Sequence, residues 1–190
     1  MLNNFAKLLV IITIAGCQKT ATTSSSTTET STTTPTIANQ LKFTGNGFVH
    51  NGTYPKIFTC DSLGISPGLQ WSSAPSTTIS YAITMYHIPP GGGNHQYMVL
   101  YNIPAATLSI PDNSELIGTF GINTVDGKAT YTPPCSQGPG AKIYVLTLYA
   151  LNAAPAITNP NTQVTMEILR AGMKNKIVDS AVMSVTYTRL

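Results

Sequence analysis

The stretch FTCDSLGISPGLQW, residues 58–71, decides between two folds. Within it, Gly64-Ile65-Ser66-Pro67-Gly68 fits G-x-S-x-G, the strand–turn–helix elbow that presents a nucleophilic serine in α/β-hydrolases. Two requirements of an elbow fail here. The residue after the serine must give its backbone N–H to an oxyanion, and Pro67 has none. A helix must follow, whereas Gly68 leads into the short apolar run Leu69-Gln70-Trp71. The serine-hydrolase reading is therefore set aside.

The segments on either side are short apolar or alternating runs separated by Pro, Gly, Asn and Ser clusters, which predicts a mainly β domain. Strands are predicted over residues 42–50, 54–60, 78–86, 96–103, 142–151 and 180–188. The run TISYAITMY, residues 78–86, sets Ile79, Tyr81, Ile83 and Met85 on one face. Ser80, Ala82, Thr84 and Tyr86 take the other, so Tyr86 leaves the strand on its smaller, more polar side. One helix is predicted over residues 162–172, with Asn161 as N-cap, Val164, Ile168 and Leu169 as its apolar stripe, and Gly172 as a stop. No internal repeat is visible.

Of 190 residues, 42% are hydrophobic, enough for one packed core with appendages. Only 9% are charged, and loss of Lys7 with a leader leaves nine basic against seven acidic residues, without a basic cluster. That balance argues against nucleic acid as a partner. The start, MLNNFAKLLVIITIAGC, has a cation at Lys7, an apolar run over residues 8–14 and small residues before Cys17. This is the pattern of a secretory leader, and its apolar run is too short for a span of about 20 helical residues. The tetrad Ile14-Ala15-Gly16-Cys17 resembles a bacterial lipobox, which implies cleavage after residue 16 and acylation of Cys17. Gln18 rather than Asp after it implies, by analogy with two-membrane bacteria, lipid anchoring in the outer membrane, facing the periplasm or the cell surface.

Residues 20–36, nearly all Thr and Ser, cannot build a core. The expected organisation is thus a leader at 1–16, a lipidated Cys and flexible tether at 17–40, and a folded domain at 41–190. The tether would span on the order of 25 Å root-mean-square. Assigning Cys17 to lipid leaves Cys60 and Cys135, for which a disulfide is the default in an oxidising compartment and a pair of buried free thiols the alternative. Asn51-Gly52-Thr53 matches an N-glycosylation acceptor but carries little weight in a bacterial lipoprotein. His50, His87 and His95 form no i,i+3 or i,i+4 pair, and carboxylates are sparse, so neither metal nor cofactor is expected. Gly91–Gly93 lacks the Lys-Ser/Thr of a phosphate loop. No nucleophile–base pair can be assembled, and the expectation is a protein that is not an enzyme.

Taken in order, FTCDSLGISPGLQW, ISYAITM, YMVLYNIP and PPCSQGPGAKIYVLTLYALN resemble the blocks of the phosphatidylethanolamine-binding protein family, in its bacterial Raf-kinase-inhibitor-like branch. That branch carries C-D-G…S-P-x-L-x-W, N-I-P, G-P-C-P-P and L-Y-A-L-D. Asp61, Ser66, Pro67, Leu69, Trp71, Asn102, Ile103, Pro104, Pro134, Cys135, Gly138, Tyr144 and residues 148–151 fall where those blocks expect them. The resemblance covers residues 43–187 and implies a β-sandwich of one small and one large sheet, with a C-terminal helix and a shallow anion pocket at one end. In the family, the pocket is walled by an Asp-Pro-Asp-x-Pro turn, a strand bearing a His, and a Pro-rich loop entering His-x-Tyr.

This chain departs from that pattern in MYHIPPGGGNHQY, residues 85–97. The turn reads Tyr86-His87-Ile88-Pro89-Pro90, the pocket His position is Tyr97 with His95 two residues earlier, and His-x-Tyr is Lys142-Ile143-Tyr144. The resemblance implies a ligand site of Tyr86, Pro90, His95, Tyr97, Lys142 and Tyr144, in which Lys142 supplies a fixed positive charge. The expected function is membrane-tethered, non-enzymatic recognition of a small anionic or phosphorylated ligand. The alternative is a surface module that binds or inhibits a protein partner and has no working pocket.

Overall fold

The computed structural model describes residues 41–135, 137 and 140–189. The expected leader, Cys17 and the tether lie outside the described residues, as does Gly138. Two antiparallel sheets face each other. The small one is ordered β1–β2–β5, from β1 (Lys42–Gly45), β2 (Leu69–Ser72) and β5 (Ser109–Ile110). The large one is ordered β6–β4–β3–β7–β8, from β3 (Ser80–His87), β4 (His95–Pro104), β6 (Thr119–Phe120), β7 (Lys142–Leu151) and β8 (Ile177–Tyr187).

Alternation builds the main core. Tyr81, Ile83 and Met85 of β3, Leu146 and Leu148 of β7, and Met183 of β8 meet Phe43, Leu69, Trp71 and Ile110 of the small sheet. The opposite face of β3 is buried too, because α1 (Met166–Gly172) lies over Ala82, Val99, Tyr101 and Leu151. Val164, Met166, Leu169 and Met173 are its fully buried contacts, and truncating Leu169 to Ala should cost roughly 2–5 kcal/mol. Gln96, buried on β4, locks the helix down. Its amide donates to Glu167 Oε1 at 2.8 Å and its oxygen accepts from Met166 N at 3.3 Å.

Three local expectations are corrected. Residues 54–60 are not a strand but contain a 3-10 turn, Lys56–Phe58, which buries Tyr54 and Phe58 together. Strand β1 ends at Gly45, where the chain reverses through Gly47 at φ 78° and Gly45 N donates to Phe48 O at 2.9 Å. Asn161 opens a 3-10 turn, Asn161–Gln163; the α1 cap is Thr165, whose hydroxyl accepts from Ile168 N at 3.3 Å.

Candidate functional site

The ends of β3, β4 and β7 meet at one end of the sandwich. His87 and His95 are cross-strand partners there, and Lys142 opens β7. With Pro90, Tyr97 and Cys135 they line a cavity of about 480 Å³, to which Pro89, Val125 and Gln137 add the rim. No Asp or Glu is among these lining residues.

Below the cavity lies an aromatic floor. Tyr144, fully buried, packs edge-on against Tyr97 and tilted against His87, with ring centroids 5.4 Å apart in both pairs. Tyr54 stacks beneath at 6.2 Å, and its hydroxyl lies 3.1 Å from that of Tyr131, which donates to Phe58 O. Burial pushes the phenols of Tyr54 and Tyr131 upward, so both stay neutral. His87 is buried as well, and its Nδ1 lies 2.9 Å from Ile143 O. A carbonyl only accepts, so Nδ1 carries the proton and Nε2 is left for other partners.

The structure brings Pro90, His95, Tyr97 and Lys142 to the cavity wall and sets Tyr144 beneath it. Tyr86 is not in the lining of that cavity. Two-residue periodicity turns Tyr86 to the helix side, half-buried, with the Arg170 guanidinium 5.8 Å from its ring centroid. There it borders a second cavity of about 430 Å³ with Ile88, Ile143 and Val145, whose lining shares His87, Pro90 and Lys142 with the first. The same periodicity carries His87 onto the Met85 face. His87 is thus the site residue that sequence reasoning passed over, although the run Tyr81, Ile83, Met85 pointed to it. Val125 and Gln137 had no such signal, because they arrive on loops.

Cys135 is bonded to Cys60, with Cα atoms 5.3 Å apart, so the default pairing holds. Behind the bridge, Asp61 accepts from Tyr187 Oη at 2.7 Å and from Arg189 Nε at 2.8 Å. The Tyr187 hydrogen bond foremost, and Arg189 with it, hold the Asp61 carboxyl below its ordinary range. On the opposite rim, Val125 sits on a loop organised by Asn123. The side chain of Asn123 donates to Asp126 Oδ1 at 2.7 Å and Lys128 O at 2.9 Å, and accepts from Val125 N and Asp126 N at 2.9 Å. Among the described residues, no three His, Cys, Asp or Glu side chains come together as a metal site. Ser66 is buried, and the segment after Gly68 is strand β2.

A small and a large antiparallel sheet, one C-terminal helix and a cavity at one end define a β-sandwich class. The sequence model of the phosphatidylethanolamine-binding protein family matches residues 44–188, and the chain belongs to that family. The UPF0098 protein of Chlamydia trachomatis is 27% identical over 155 residues, 78% of this chain and 99% of its own. That of Aquifex aeolicus is 28% identical over 137 residues, 66% of this chain and 80% of its own. The crystal structure of a phosphatidylethanolamine-binding protein homologue from Chlamydia trachomatis superposes with a TM-score of 0.73 at 25% identity, covering 80% of this chain and 100% of that one. E. coli YbcL shares the fold, with a TM-score of 0.70, 20% identity and the same coverage.

Proposed function

We propose that this domain is a non-enzymatic binding protein that takes a small anionic or phosphorylated ligand in the end cavity, while an acylated Cys17 and the Ser/Thr-rich tether hold it at the outer membrane. The observation that carries the reading is the make-up of the wall: the cation Lys142 and two polar imidazoles, His87 and His95, surround a cavity whose described lining holds no carboxylate. A phosphate there replaces water with charge-assisted hydrogen bonds worth about 1.5–3 kcal/mol each. The nearby acid, Asp61, is held by Tyr187 and Arg189, so its charge is already countered. Tyr97 gives the cavity an aromatic wall supported by Tyr144.

Titration with phosphate, phosphoethanolamine or acetate, followed through Tyr97 and Lys142 resonances, tests the reading. Saturable shifts are expected, and their absence at millimolar ligand would sink it. A second reading, a protein-interaction module, draws on the exposed apolar side chains Ile88 and Ile143 beside the cavity. Under that reading Lys142→Ala and Tyr97→Ala leave capture of a partner unchanged, whereas under the first they weaken phosphate binding.

A further inference from the structure

We propose that the Cys60–Cys135 disulfide is a thiol–disulfide exchange site coupled to the anion cavity: an external dithiol reduces it and weakens anion binding, and a bound anion protects it from reduction. The inference rests on the anion reading above and adds a regulation to it. Its starting point is position. Cys135 is exposed and lines the cavity, whereas Cys60 is half-buried behind it. An incoming thiolate therefore meets Cys135 Sγ first, with Arg189 Nη1, a donor whose Nε is paired with Asp61, 3.6 Å away.

One thiolate of the dithiol bonds to Cys135 Sγ while the protein S–S bond breaks, and the electron pair leaves on Cys60 Sγ, which takes a proton from solvent. The second thiol of the reagent then attacks its own sulfur of the mixed disulfide, closes a cyclic disulfide and expels Cys135 as a thiolate. Two electrons pass from the dithiol to the protein.

The product changes the wall electrostatically. The oxidised cavity has no acidic residue among its described lining, and the reduced one gains an ionisable sulfur. The charged and titratable groups around Cys135 are Arg189 on the chain after β8, Asp61 and Tyr187 bound to one another behind the bridge, and His87, His95 and Lys142 in the cavity wall. The cations favour the thiolate, which then competes with an anion for Lys142. The effect stays local, because the loop before Cys135 has anchors of its own. Cys60 N donates to Pro134 O at 3.1 Å, Thr132 N to Tyr97 O at 3.0 Å, and the Tyr131 hydroxyl to Phe58 O.

Coupling is reciprocal. If the reduced form does not bind, phosphate at about ten times its Kd raises the disulfide-to-dithiol ratio roughly tenfold. The experiment equilibrates the full chain in a dithiothreitol redox couple, with inorganic phosphate or with sodium chloride of matched ionic strength, and counts thiols by alkylation and mass. Phosphate Kd is measured in parallel on the oxidised and reduced forms. A ratio that rises with phosphate, and weaker binding after reduction, is the expected result. Equal binding by both forms with an unchanged ratio overturns the coupling and leaves the anion site standing; no binding by the oxidised form removes the anion site and this inference with it. Two variants, both without the bridge, separate the charge of the thiol from the loss of the bridge. Cys60→Ser keeps the Cys135 thiol, and its phosphate affinity should fall, as pH rises through thiol ionisation, more steeply than that of Cys60→Ser/Cys135→Ser. Identical pH profiles overturn the proposal.

Discussion

Asn123 offers a sharp test of how the cavity rim is built. Its side chain is fully buried and makes four hydrogen bonds of 2.7–2.9 Å with a loop whose other residues, Thr124 to Lys128, are exposed. A net hydrogen bond contributes about 1 kcal/mol, so Asn123→Ala removes at most about 4 kcal/mol. Water can reach the released groups of Val125, Asp126 and Lys128, which reduces the expected loss to roughly 2–3 kcal/mol. With an m-value of about 2 kcal/mol per M, urea unfolding at neutral pH should show the midpoint falling by roughly 1–1.5 M. Asn123→Asp keeps the two acceptor contacts but loses both donors and sets a second carboxylate beside Asp126, so it should rescue little. A midpoint shift below about 0.25 M for Asn123→Ala would refute the reasoning, because the loop would then be held by something other than this side chain. Since the loop carries Val125 to the rim, weaker phosphate binding by the alanine variant is also expected.

Other consequences are as direct. The disulfide closes a loop of sequence separation 75, so Cys60→Ala/Cys135→Ala should lose about 4.5 kcal/mol by loop-closure entropy; a loss under about 1 kcal/mol contradicts that account. A Cβ at Gly121 would lie 2.4 Å from Val164 O and 3.0 Å from Val99 Cγ1, whereas one at Gly91 meets nothing. Gly121→Ala should therefore cost about 1–3 kcal/mol in thermal or urea unfolding and Gly91→Ala almost nothing, with equal effects counting against the packing described. Because the Asp61 carboxyl is held low, by Tyr187 first and by Arg189, its pairing stabilises the fold above the ordinary carboxylate range and is lost as pH falls through the lowered value. The stability gap between the parent and Asp61→Asn should thus be full at neutral pH and shrink in acid; a gap that widens in acid would reverse the sign.

The large sheet was legible because its strands are long and periodic. Residues 142–151 were read to the residue, and the alternation of Tyr81, Ile83 and Met85 is the face that packs on the small sheet. What escaped was set by contacts distant in sequence. Strands β2, β5 and β6 are two to four residues long and carry too few positions to show a period, while Tyr54 and Phe58 sit four apart, a spacing that shares one face of a strand as well, although the chain between them forms a 3-10 turn. At the candidate site, the resemblance implies Tyr97 and Lys142, and both line the end cavity. His87 was missed because family alignment assigned it to a turn position, although strand periodicity puts it on the inward face. Tyr86 went the other way, onto the helix side beside Arg170. Val125 and Gln137 reach the cavity only through loop packing, which has no local sequence signature.

The central claim is that Lys142 makes the end cavity an anion site. Calorimetric or NMR titration of inorganic phosphate into the parent, Lys142→Ala and Lys142→Arg proteins tests it most directly. Removing one charge-assisted contact of about 1.5–3 kcal/mol should weaken binding by roughly tenfold or more in Lys142→Ala, with most of the affinity returning in Lys142→Arg. Saturable phosphate binding that Lys142→Ala leaves unchanged, or no binding by the parent protein at all, would contradict the account.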